Sequence, residues 1–189
     1  MNIYFFGGTF DPPHKAHKLI YKYCMDFCDQ FIFVPTAQSP GKINPMINSN
    51  KRIQMLELLI DDQDFKKVVI DKFEIDSNKS PSYTIDTIYY LKEKFKNASI
   101  TMVIGLDQYN NLNNWKDYNQ IINEVEIICF NRGKTKLDYN SNINLIDFNQ
   151  EISSTEIKQH IENARIDKAK KYLTKEVSHF IIKNGLYAN

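Results

Sequence analysis

The first thirty-five residues constrain the fold more than any other stretch. Ile3-Tyr4-Phe5-Phe6 is a short apolar run that stops at Gly7-Gly8, the pattern of a buried strand ending in a glycine turn. From position 15 to 28, Leu19, Ile20, Tyr23, Cys24 and Phe27 recur at helical spacing, and Phe31-Ile32-Phe33-Val34 forms a second buried strand closed by Pro35. Strand, glycine loop, helix and strand make a βαβ unit, which calls for a parallel sheet and a right-handed crossover. The alternation continues with a helix over 51–60, a strand at 68–70, and a helix face carrying Thr84, Ile88, Leu91 and Phe95. Strands follow at 100–104, ending on Gly105, at 125–130 and, weakly, at 145–146. The tail reads as helices over 154–163, 167–173 and 175–184, stopped by Gly185. The expected fold is α/β, doubly wound and Rossmann-like, with a mostly parallel sheet. Residues 1–189 are expected to form one domain, in which 152–189 is a small helical C-terminal element. The long stretch 36–50, with Pro40, Gly41 and Pro45, reads as a functional loop.

Composition narrows the function. A chain of 189 residues buries enough surface to need no disulfide or metal staple. Lys+Arg 24 against Asp+Glu 23 leaves a net charge of +1, so no nucleic-acid coat or membrane-surface patch is expected and any anion site must be local. Cys24, Cys28 and Cys129 are odd in number and lack CxxC spacing, as reduced core thiols of a cytoplasmic protein would. No apolar run approaches the roughly 18 residues of a membrane span, and no signal-peptide pattern opens the chain.

The chemistry concentrates in Gly7-Gly8-Thr9-Phe10-Asp11-Pro12-Pro13-His14-Lys15-Ala16-His17. This segment runs from the first strand's carboxyl end into the first helix, where open α/β sheets bind ligands. The glycines allow close approach of a phosphate, and a helix start offers N–H donors and a positive dipole. It is neither GxGxxG nor GxxxxGK[ST], so neither a dinucleotide fingerprint nor a P-loop is present. His14 and His17, one helical turn apart, would face the same side. Such a pair alone is compatible with a structural role, a metal pair or stabilisation of an anion. The glycine loop and proline-stiffened turn favour phosphate chemistry. His160 and His179 lie on distant helices and supply no zinc pattern.

This segment resembles the GGTFDPxHxGH signature of the adenylyltransferases that make the dinucleotide of NAD, in the HxGH nucleotidyltransferase superfamily. Further segments resemble the nicotinate-nucleotide branch in order. Ser82-Tyr83-Thr84-Ile85-Asp86-Thr87 is similar to SYTxDT. Gly105 and Asp107, with Leu112 and Trp115, are similar to GxDxxxxLxxW. Ile152-Ser153-Ser154-Thr155-Glu156-Ile157-Lys158 is similar to ISSTxIR, and Gly185-Leu186-Tyr187 to the usual ending. The resemblance spans 7 to 187 and implies transfer of AMP from ATP to nicotinate mononucleotide, giving deamido-NAD and pyrophosphate. It implies His14 and His17 as catalytic residues and Gly7, Gly8, Thr9, Phe10, Gly105, Asp107, Ser154 and Lys158 as ATP contacts. Lys42, Tyr83, Thr84, Trp115 and Arg132 are implied at the acceptor, and Mg²⁺ is expected to accompany ATP rather than sit in a protein cage. A homo-oligomer is compatible with this reading. Pantetheine-phosphate adenylyltransferase would share the histidine loop without the SYTxDT and GxD…W set, and a sensor without turnover would not need both histidines.

The motifs also have plain physical readings. Ser153 and Glu156 form a capping box. Ser82 reads as a helix N-cap, which would put the Tyr83 and Thr84 N–H groups in a first turn suited to a carboxylate. Trp115 offers a flat aromatic face. Three departures stand out. Ala16 replaces the glycine of HxGH and would place a methyl toward the nucleotide. Lys158 replaces an arginine, exchanging a bidentate guanidinium for a point charge. Pro40-Gly41-Lys42 lacks the histidine of the usual PHK.

Overall fold

The computed structural model describes residues 1–38, 40, 45–77, 81–131, 144–148 and 152–188. The strands are β1 (Asn2–Gly8), β2 (Gln30–Pro35), β3 (Val68–Ile70), β4 (Ser99–Gly105), β5 (Glu126–Asn131) and β6 (Asn144–Asp147). They form one sheet in the order β3-β2-β1-β4-β5-β6, every pair parallel. Parallel inner strands are covered on both faces, which is why their sequences are apolar runs rather than alternations. Alternate residues nonetheless part cleanly. Phe6, Phe31, Phe33 and Val103 enter one core cluster, whereas Ile3, Phe5, Ile32, Val34, Met102 and Ile104 enter the other.

The first face is covered by α1 (Lys15–Cys24), α2 (Ser49–Leu59), α7 (Ser154–Glu162), α8 (Ile166–Lys170) and α9 (Lys175–Lys183). The second is covered by α4 (Thr84–Lys94) and α6 (Tyr118–Glu124), through Ile85, Ile88, Leu91 and Ile121. Two one-turn helices, α3 (Phe73–Asp76) and α5 (Leu106–Tyr109), follow β3 and β4. The C-terminal helices therefore build the first-face core together with α1 and α2. Ile157, Ile161, Val177 and Ile181 are each at most 8% exposed.

Most expected elements are present with shifted ends. α1 stops at Cys24, four residues early, because Met25 to Phe27 close a turn with Phe27 N–H donating to Cys24 O at 3.0 Å. α6 is a helix that the residue pattern does not announce. It buries only Ile121, so it carries no apolar periodicity. The strand order reverses between β1 and β4, which lie side by side with their crossovers on opposite faces. That switch point opens a crevice above the carboxyl ends of both strands.

Candidate active site

β1 delivers its loop to the edge of this crevice. An added Cβ at Gly7 would meet nothing within 4 Å, so its backbone is open to a ligand. At Gly8 the same Cβ would sit 3.0 Å from the Phe10 ring, and only glycine fits without displacing it. Phe10 holds a φ of 50°, which its ring stabilises by edge contacts with Phe6, Phe33 and His17 at 5.1–5.6 Å. Phe10 is 3% exposed. Its side chain belongs to the core, leaving only its backbone for a nucleotide.

His14 is the N-cap of α1 and His17 is its third helical residue. Their rings stack at 3.7 Å, and the His14 backbone N–H donates to His17 Nδ1 at 3.1 Å. That bond fixes the tautomer: with Nδ1 accepting, neutral His17 carries its proton on Nε2 and can donate it. The Lys15 N–H is also engaged, to Tyr172 O at 2.9 Å. Two of the backbone donors expected to await an anion thus bind protein instead.

Asp11 gathers three distant parts of the chain. Its Oδ1 accepts the Tyr187 hydroxyl at 2.6 Å, its Oδ2 accepts the Met46 N–H at 2.9 Å, and Lys158 Nζ lies 3.6 Å from Oδ2. Arg52 is 1% exposed and donates to Thr9 O at 2.6 Å and Ile47 O at 3.1 Å. Burial pushes its pKa down, and the charge of the nearby Asp11 carboxylate opposes that shift. Ser154 Oγ donates to Pro12 O at 2.9 Å, docking the start of α7 on the loop. Ser153 caps that helix by accepting the Glu156 N–H at 3.1 Å.

Across the crevice, Gly105 ends β4 and Asp107 is exposed in the first turn of α5. Trp115 is half-buried against the second core, as are Tyr83, Tyr109 and Tyr118. The cap of α4 is Tyr83, not Ser82. Ser82 N–H instead donates to Gln38 O at 3.0 Å, and its side chain turns inward, 8% exposed. Nearby, Glu74 of α3 holds a buried carboxylate that accepts Thr87 Oγ1 at 2.6 Å. Burial pushes Glu74's pKa up, while the Thr87, Thr36 and Ser82 hydroxyls facing it pull the other way. Lys116 lies 4.5 Å above the Tyr83 ring. Lys42 and Arg132 lie outside the described residues.

Residues 5–160 match the Cytidylyltransferase-like family. A probable nicotinate-nucleotide adenylyltransferase of Hydrogenobaculum sp. is 34% identical over 191 residues, covering 100% of this chain and 99% of that protein. A probable nicotinate-nucleotide adenylyltransferase of Leptospira interrogans is 31% identical and covers 97% and 95%. The chain belongs to the nicotinate-nucleotide adenylyltransferase family. Its fold matches Plasmodium falciparum nicotinic acid mononucleotide adenylyltransferase complexed with NaAD, with a TM-score of 0.83, 23% identity and coverage of 98% and 97%.

Within this family fold the departures can be placed. Ala16 is 0% exposed in the first core cluster, so its methyl packs inward and does not reach the nucleotide crevice. Lys158 keeps a cation beside the loop, with its side chain 25% exposed. Residue-pattern reasoning passed over Asp11, Arg52, Glu74 and Lys116 as site residues, and gave Tyr187 no role. Asp11 stood inside the quoted loop motif. Arg52 had a weaker signal, an arginine on the apolar side of α2 near Ile53, Met55 and Leu56.

Proposed function

We propose that the protein transfers AMP from ATP to nicotinate mononucleotide, releasing pyrophosphate and forming deamido-NAD. One observation supports this most. The His17 Nε2–H donor follows β1 at the sheet's switch point, with the Lys158-bearing start of α7 against the same loop and the α4 start, Lys116 and Trp115 on the sheet's second face. That is the layout for joining two nucleotides through their phosphates.

In this reaction a phosphate oxygen of the acceptor attacks the α-phosphorus of ATP in line. The new P–O bond forms as the α–β bridge breaks, and pyrophosphate carries off the electron pair. No protein nucleophile is required, so the chain contributes positioning and charge stabilisation. Gly7 and Gly8 let the backbone approach the phosphates. His17, in the tautomer fixed by the His14 N–H, donates from Nε2 to developing negative charge, with His14 stacked behind it. Lys158 adds a point charge at the start of α7, and Asp107 is placed to accept ribose hydroxyls. The N–H groups of Tyr83 and Thr84 receive the pyridine carboxylate and Trp115 stacks on the ring. Lys42 and Arg132 are assigned to the acceptor phosphate on the resemblance alone.

Among the described residues, no three His, Cys, Asp or Glu side chains converge as a metal cage. Mg²⁺ would accompany the ATP triphosphate, held by phosphate oxygens and water. Bound there, it neutralises phosphate charge. No helix among the described residues is long and apolar enough to cross a membrane, and a cytoplasmic location goes with the proposed substrates.

The test is pyrophosphate release from ATP and Mg²⁺ with a panel of acceptors. Turnover with nicotinate mononucleotide is expected. Turnover with phosphopantetheine alone would overturn the assignment.

A further inference from the structure

We propose that Tyr187 is a positioning residue that keeps the Lys158 ammonium available to ATP by occupying the Asp11 carboxylate. The inference rests on the phosphate-side role given to Lys158 above.

Tyr187 is 4% exposed and its hydroxyl is 2.6 Å from Asp11 Oδ1. Burial, and then the charge of Asp11, push its pKa up, so the phenol stays protonated and donates. With the Met46 N–H at 2.9 Å on Oδ2, each carboxylate oxygen already accepts a short hydrogen bond. Lys158 Nζ is left at 3.6 Å, beyond the roughly 2.7–2.9 Å of a charge-assisted N–H···O bond. The ammonium is therefore held near the loop without being captured. Asp11 is outnumbered by Lys158 and the buried Arg52, leaving a local excess of positive charge for an incoming phosphate.

Removing the Tyr187 hydroxyl opens Oδ1 beside a partly exposed, rotatable ammonium. Lys158 can then close onto Asp11 as a direct ion pair and withdraw from the nucleotide. The ring itself should stay in place. Leu186 N–H donates to Ile181 O at 3.0 Å and Leu186 is 5% exposed, so α9 and the core fix this segment independently of Asp11.

The experiment measures the dissociation constant of Mg·ATP by calorimetry without acceptor. Its subjects are wild type, Tyr187→Phe, Lys158→Met and the double variant, each with its Tm. Tyr187→Phe is expected to weaken ATP by roughly 10- to 150-fold, the range for a hydrogen bond to a charged group. In the Lys158→Met background the same change should cost less than about 2-fold, because the coupling partner is gone. An unchanged affinity in Tyr187→Phe, or an equal loss in both backgrounds, would show a merely structural tyrosine. If the Phe variant does not fold, Asp11→Asn decides. It frees Lys158 from a competing anion and must bind ATP at least as tightly as wild type; weaker binding overturns the proposal. Wild type that fails to bind ATP sinks the proposed function as well. Wild type that binds ATP, with no Tyr187→Phe effect, sinks this inference alone, whichever acceptor is used.

Discussion

His17 does two jobs with two nitrogens, and substitutions can separate them. Nδ1 accepts the His14 N–H at 3.1 Å and so anchors the start of α1, while Nε2 is the proposed phosphate donor. In His17→Ala both are lost. Leaving the His14 N–H without an acceptor in a site where His14 is 1% exposed costs about 1–3 kcal/mol. At about 2–4 °C per kcal/mol for a domain of this size, Tm should fall by roughly 2–12 °C. Loss of one charge-stabilising donor costs about 2.7–4 kcal/mol of barrier, or about 10²–10³ in kcat. Asparagine places a carbonyl oxygen where Nδ1 stood but reaches no further, whereas glutamine extends an NH₂ toward the Nε2 position. His17→Asn should therefore recover most of the lost Tm and none of the rate. His17→Gln should recover part of the rate and little of the Tm. The assay is single-turnover pyrophosphate release at saturating ATP and acceptor, paired with calorimetric melting. Turnover by His17→Asn within about 5-fold of wild type would refute the donor role, and an unchanged Tm in His17→Ala would refute the anchor.

Three other expectations follow from the geometry. If the α4 start reads the acceptor carboxylate, replacing it by a carboxamide loses charge and strands an N–H, together about 2–5 kcal/mol. kcat/KM should then favour nicotinate over nicotinamide mononucleotide by about 30- to several-thousand-fold, and Trp115→Ala should weaken both without changing their ratio; equal values for wild type would refute the carboxylate reader. Glu74's folded pKa lies above its ordinary 4.5 because burial disfavours the anion, so the native state holds its proton longer than the unfolded chain. Stability should fall as pH rises from 4.5 through the folded pKa; Glu74→Gln keeps an acceptor for Thr87 and should flatten that decline in urea titrations, and parallel wild-type and variant curves would discount Glu74. Burial raises all three thiol pKa values, to about 11 for Cys28 and about 12 for Cys129, and higher still for Cys24. Aromatic disulfide reagents at pH 7.5 should label none of them until the protein is unfolded, and rapid native labelling would contradict their burial.

The local sequence alone determined the parts that depend on neighbours along the chain. Apolar runs at 3–6, 31–34 and 100–104 had no alternative to buried parallel strands once glycine turns and helical periodicity separated them. The same runs put the loop from Gly7 to His17 at the carboxyl end of the first strand, because loop position follows from strand direction; that this strand borders the switch point is read only from the strand order. Short elements were illegible for a physical reason. α3, α5 and α6 bury one residue each, too few to make a period. Ser82 looked like a cap because Ser is a good one; a long-range backbone bond from its N–H to Gln38 O goes with a helix start one residue later, at Tyr83.

Only the tertiary structure decided how the site is wired. Tyr187 and Asp11 are 176 positions apart, and Ser154 and Pro12 are 142 apart. No spacing rule joins them. They meet because α1, α2, α7 and α9 share one apolar face of the sheet, which brings the end of the described chain against the first loop. A buried carboxylate placed there must satisfy both its oxygens, and it takes whatever donors the packing supplies. The Ala16 methyl shows the same dependence. Its neighbour His17 packs against Phe10 of the first loop, but helix geometry turns successive side chains by about 100° per residue and packing against the core settles that the Ala16 methyl points inward.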